Sequence, residues 1–183
     1  MDTLIKGLAL LVLCAIVGFG ARGLRGPGPG PAIPAANGQG GADLSGVWAI
    51  AEPLVALRTV DDQAPPLKPE ALAIYQERQA ATARGDRSWD TTLKCKPPGE
   101  PRTLFESAWP FQIGQAADRV VFMFQWNRYI RVIEMGLELP DFAGPFFYGK
   151  SSGAWDGGTL VATLIGQREE TALDSTGLPH SED

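Results

Sequence analysis

Histidine and cysteine are almost missing from this sequence. Its 183 residues include one histidine, His180, and two cysteines, Cys14 and Cys95. A structural or catalytic zinc needs three or four His, Cys or carboxylate ligands at set spacings, so the pattern supports no metal site. Cys14 falls in an apolar N-terminal run and Cys95 in the body of the chain, so no disulfide framework follows. Cys95 is a lone thiol, read as buried and inert, because a nucleophilic cysteine needs an activating base and His180 lies far along the chain.

Positive charge is also scarce where a polyanion would need it. The net charge is −5, and from Val132 onward nine acidic residues face only Lys150 and Arg168. Nucleic-acid binding needs clustered Lys and Arg, so nucleic acid is excluded as a partner. The segment from Arg84 to Arg131 carries eight cationic and five acidic residues, which reads as a solvated face. One cofactor pattern occurs and fails on context. Gly144 to Ser151 (GPFFYGKS) matches the phosphate-loop spacing letter for letter. That loop needs a buried strand before it and a helix after it. Here Leu139-Pro140 precedes, aromatics fill the loop, and Ser152-Gly153 leads to a turn and a strand. No cofactor is expected.

What the chain does contain is strand chemistry. Arg119 to Asn127, Tyr129 to Met135 and Thr159 to Ile165 are dense in β-branched and aromatic residues. Asn127-Arg128 separates the first two, and Asp156-Gly157-Gly158 forms a hairpin turn before the third. Pro110 to Gln115 adds a strand. The expected fold is mainly β, of the α+β kind: an antiparallel meander with one buried face. One helix is expected from Pro69 to Arg84, with Pro69 at its first position and Gly85 as its left-handed stop. Its thin apolar stripe of Leu72, Tyr75 and Ala83 places it across the surface of the sheet.

Long apolar runs are confined to the N-terminus, where Gly7 to Ala21 is uninterrupted. Fifteen residues is signal-peptide length, whereas Leu4 to Leu24, with Lys6 and Arg22 reaching out, approaches the roughly 20 residues that span a bilayer. Both readings stand: a transmembrane anchor, or a cleaved signal helix leaving a secreted or periplasmic product. Residues 26–42 (GPGPGPAIPAANGQGGA) form a Gly/Pro linker reaching up to roughly 50 Å. A spacer has a use only if its far end is held, which favours an anchor over residues 1–25 and a tethered β-rich domain over residues 43–183. About 140 residues remain for that domain, enough for one core.

The domain opens on Asp43-Leu44-Ser45-Gly46-Val47-Trp48. Together with Cys95-x-Pro-Pro-Gly-x-Pro-Arg102, Gly153-x-Trp-x-Gly-x-Thr-Leu160 and Gly177-x-Pro-His-Ser181, this resembles an uncharacterised family of exported bacterial proteins. Gly46-x-Trp48 is also similar to the first strand of lipocalin-like barrels, so the resemblance implies a partial barrel of that kind. It implies no established activity. In that family Lys150 would be histidine, Asp156 glutamate, Gly158 aspartate and Gln125 glutamate, so charged and imidazole groups are thinned here. Relatives also continue with further strands, which here implies an unpaired sheet edge.

These readings converge on a non-enzymatic accessory or binding subunit, held in the membrane through residues 4–24, with a periplasmic domain that contacts a protein partner or larger membrane complex. The candidate binding residues are Trp126, Arg131, Phe146, Phe147, Tyr148 and Trp155. Arg131, mid-strand, is expected to pack its stem on the sheet or to pair with Glu134, Asp156 or a ligand carboxylate. The alternative is a lipocalin-like binder of small apolar ligands, or an enzyme using Asp174 and His180 as an acid–base pair.

Overall fold

The computed structural model describes residues 41–182 apart from 107, 142 and 143. Six strands make one open sheet: β1 Gly46–Trp48, β2 Phe111–Gln115, β3 Arg119–Phe124, β4 Ile130–Met135, β5 Lys150–Asp156 and β6 Thr159–Ile165. Their spatial order follows the chain order. β-Branched and aromatic side chains at alternate positions form one face. Ile113, Val120, Phe122, Phe124 and Ile133 are its buried core, with Trp48, Phe111, Met135 and Leu160 packed against them. The rings of Phe111, Phe122 and Phe124 lie 5.5 to 6.3 Å apart, within the range where aromatic pairs attract.

The sheet is mixed, which corrects the expected antiparallel meander. β4 and β5 run parallel, with Glu134 opposite Ser152 and Met135 opposite Gly153; the other neighbouring pairs are antiparallel. The physical reason is the connection. A tight turn reverses the chain, whereas the long stretch from Gly136 to Gly149 returns it to the starting end before the next strand. β5 itself went unread as a strand because its residues, KSSGAWD, are small and polar. Packing requires the glycine: a Cβ on Gly153 would lie 2.7 Å from both Ile133 Cγ2 and Met135 Sδ. The strand ends also move. β3 stops at Phe124, since Trp126–Arg128 forms a helical turn in which Asn127 and Arg128 take positive φ.

The expected helix is present as α1, Pro69–Ala83, with Pro at its start and Gly85 at φ +82 just past its end. It does not lie across the sheet. Tyr75 bonds Thr176 at 2.9 Å, Arg78 Nη1 donates to the Gly177 carbonyl at 3.1 Å, and Gln79 reaches the Thr176 carbonyl. The helix therefore rests on the C-terminal segment through polar contacts, and none of its residues is buried. A short helix, α2, spans Arg102–Phe105. Among the described residues no helix is long and apolar enough to cross a membrane. The expected anchor or signal segment and most of the linker lie outside them.

Candidate functional site

Two places gather the residues that sequence reasoning singled out: a buried polar junction on the inner side of the sheet, and an exposed border at β6. The junction begins at Cys95-to-Arg102. Gly99 takes φ +85, and a Cβ there would lie 2.7 Å from Thr171 Oγ1, so only glycine fits. The next residue, Glu100, is clamped through its backbone by one side-chain amide. Its N–H donates to Gln167 Oε1 at 2.8 Å, and its carbonyl accepts from Gln167 Nε2 at 2.9 Å. Gln167 Nε2 also lies 3.0 Å from His180 Nε2, and Thr171 Oγ1 lies 2.8 Å from the same ring nitrogen. The loop and the Pro-His-Ser segment, far apart in the chain, thus meet on Gln167.

His180 Nδ1 faces the Ser181 carbonyl at 2.6 Å. A carbonyl only accepts, so Nδ1 carries the proton and Nε2 is the acceptor for Gln167. Burial lowers the pKa of the ring. Both nitrogens are thereby engaged in holding the fold together. Asp174 is held separately: its carboxylate accepts from the N–H groups of Leu57, Thr176 and Leu178 and from the Thr176 hydroxyl, at 2.7 to 3.2 Å. The carboxylate caps a turn, and the bonds of His180 go to other residues.

Arg131 is buried and turned inward. Its Nη1 lies 3.1 Å from Glu100 Oε2, not against Glu134 or Asp156 as expected. Neither Glu100 oxygen accepts a hydrogen bond among the described residues, and Arg131 Nε has no partner there either. Burial therefore dominates the attraction of Arg131, and the Glu100 carboxyl is pushed up to about 7. Tyr148, nearby, is pushed up chiefly by burial as well. At the other end of the loop, Arg102 forms a fork with Asp90 at 2.9 and 3.1 Å and also reaches Glu106. Burial alone would raise Asp90. The bonds from Arg102 and Thr92 outweigh it and hold the carboxylate below its usual range. Cys95, read as a buried thiol, is exposed, because its left-handed backbone (φ +57) closes a helical turn at the surface.

The exposed border is different in character. β6 is the last strand of the sheet, and its outward side joins a face carrying Val47, Ile130, Val132 and Val161, each 41% exposed or more. Phe146, 58% exposed, bridges to Gln167 just past the end of β6. Phe147 lies under the Arg168 guanidinium at 5.1 Å. Tyr148, Tyr129 and Trp126 form a half-buried edge-to-face chain at 6.2 and 5.7 Å. Trp155 packs on the inner face, with the Gly41 backbone against its indole. Of the six candidate binding residues, the structure therefore puts Phe146 at the border and Arg131 well inside.

Sequence reasoning missed Glu100, Gln167 and Thr171. A polar residue in a proline-rich turn, or just past a strand, reads as solvated, and no periodicity marks it as buried. The motif resemblance from Cys95 to Arg102 was a signal for Glu100 only; Gln167 and Thr171 lie outside the motifs. No protein-family model, curated protein or solved structure matches this chain.

Proposed function

We propose that this chain is a membrane-tethered, non-enzymatic binding subunit of the exported family its motifs resemble. Its sheet is an incomplete lipocalin-like barrel on the periplasmic side, and a protein partner docks on it. The observation that carries this reading is the β6 border. Seven uncharged residues, TLVATLI, line the sheet's edge with no neighbouring strand beyond them among the described residues. Natural edges are blunted by charge, proline, bulges or brevity, and β6 has none of these. An unblunted edge beside an apolar face and an exposed phenylalanine matches the known mode in which a partner adds a strand.

The alternative of an apolar-ligand binder or an Asp174–His180 enzyme finds less support. Asp174 borders a cleft of about 210 Å³ between α1 and the Ala56–Arg58 strip, whose lining includes Leu57, Leu72, Tyr75 and Leu178 but not His180. That volume is below the roughly 300–1,000 Å³ usual for a ligand pocket. A photo-crosslinking residue placed at Val161 or Phe146 of the full chain, irradiated in native membranes, tests the proposal. Protein adducts are expected at both positions and not at Glu77, on the exposed side of α1. If neither position yields an adduct, the reading fails.

A further inference from the structure

We propose that the buried junction beneath β4 and β5 is a binding site for a short monocarboxylate, held by the Nε edge of the Arg131 guanidinium and the hydroxyls of Tyr148 and Ser151. The site lies on the inner face of the sheet and is independent of the β6 edge.

Four side chains of the junction carry buried polar atoms that have no hydrogen-bond partner among the described residues: both Glu100 oxygens, Arg131 Nε, the Tyr148 hydroxyl and Ser151 Oγ. Glu100, Arg131 and Ser151 are each more than nine-tenths buried. An unpaired buried polar atom carries an uncompensated desolvation cost, and folded proteins complete nearly all of them. These four stand together. Arg131 Nη1 lies 3.1 Å from Glu100 Oε2, and Tyr148 is near enough to feel the charges of both. Glu134 stands opposite Ser152 in the parallel pair of β4 and β5, so Ser151 is level with Ile133 and is the diagonal neighbour of Arg131 on the inner face. Diagonal neighbours lie about 7–8 Å apart, within reach of a long side chain.

The donors define the ligand. An arginine fork takes a planar carboxylate through two parallel N–H bonds. Arg131 turns Nη1 to Glu100 and keeps its Nε edge for another acceptor. Two hydroxyls on the same side add donors for the ligand's remaining lone pairs.

Charge selects a monoanion. Burial keeps Glu100 neutral up to about pH 7, which leaves Arg131 as a buried cation that one negative charge balances. Arg131 on β4 and Tyr148 before β5 are the ionisable groups that act on Glu100 among the described residues. His180 stands behind Gln167 with both ring nitrogens engaged. Glu100 is therefore the internal competitor for Arg131, and a bound carboxylate makes its neutral form the better one. The acid is short, because Phe122 opposite Arg131 and Ile133 two residues along belong to the packed core.

The test is isothermal titration calorimetry and thermal unfolding of the detergent-solubilised full chain with sodium acetate and sodium propionate, against sodium chloride and the bulkier sodium benzoate. Acetate and propionate should bind, more tightly below pH 7 than above it, and should raise the unfolding midpoint beyond chloride. Above pH 7, titration in two buffers of different ionisation enthalpy should show proton uptake, and Glu100→Gln should abolish it. Ser151→Ala and Tyr148→Phe each delete a hydroxyl without a partner among the described residues, so the midpoint in chloride should stay level or rise. The same variants should weaken acetate binding about tenfold. That split separates a ligand site from a merely structural role. Acetate acting no differently from chloride overturns the proposal. Unchanged acetate binding in both hydroxyl variants overturns it too, as does binding of benzoate in place of acetate.

Discussion

Between pH 4.5 and about 7 the Glu100 carboxyl keeps its proton in the fold while the same group in the unfolded chain has lost it. A carboxyl whose folded pKa is raised stabilises the fold fully below the unfolded value, and that contribution is lost as pH rises through the folded value. The size is on the order of 3 kcal/mol. His180 works with the opposite sign. Burial lowers its folded pKa from 6.5, so its contribution is present above that value and is lost as pH falls. Urea unfolding followed by tryptophan fluorescence should therefore show stability falling from pH 5 toward pH 7.5 in the native chain. Glu100→Gln removes the titrating proton and leaves His180 to set the slope, so stability should instead rise with pH across the acid half of that range. An unchanged slope would mean that Glu100 titrates as a solvated carboxyl. Residue chemistry of this kind was only half legible in the sequence. Proline and glycine around Glu100 announced a turn, but the clamp comes from Gln167, 67 positions away, and no local pattern encodes it.

Elements rich in β-branched and aromatic residues were legible, because their propensity and their burial agree. β3, β4 and β6 fall within or on the expected runs, and α1 carries its start and stop signals at its ends. β5 was not legible, because its packing and its propensity conflict. Gly153 fits the room that β4 leaves, and small residues such as Ser151 and Gly153 carry little strand signal. The parallel join was hidden for the same reason, since it depends on where the Gly136-to-Gly149 connection returns the chain. Gly153→Val tests the packing argument. Valine has the better intrinsic strand propensity, yet its Cβ would meet Ile133 and Met135, and overpacking of a core usually costs about 1–3 kcal/mol. Thermal unfolding should therefore show a lower midpoint for Gly153→Val. A raised midpoint would mean that propensity outweighs the close approach of β4 and β5.

At the scale of the molecule, docking of a partner on the β6 edge, as proposed, would have to succeed through an edge of seven residues. A single added strand gives limited contact, so the pairing gains from confinement of both partners to one surface. The sequence before Asp43 offers that: an apolar run from Leu4 to Leu24 and a Gly/Pro spacer. Tethering converts association into an encounter at raised effective concentration, provided the spacer spans the gap. Roughly 50 Å of reach exceeds the width of a small domain, so a β6 edge tethered in this way would be able to turn toward a neighbour. The expected outcome is that the full chain sediments with membranes and resists alkaline carbonate. A chain with Leu10, Leu11, Val12 and Leu13 replaced by Asn should appear in the soluble fraction, and its photo-adducts from Val161 should fall sharply at equal expression. If the native chain is released by carbonate, with a mature N-terminus beginning after Ala21, the leader is a cleaved signal. The edge would then have to meet any partner by free diffusion, without the raised effective concentration that a tether supplies.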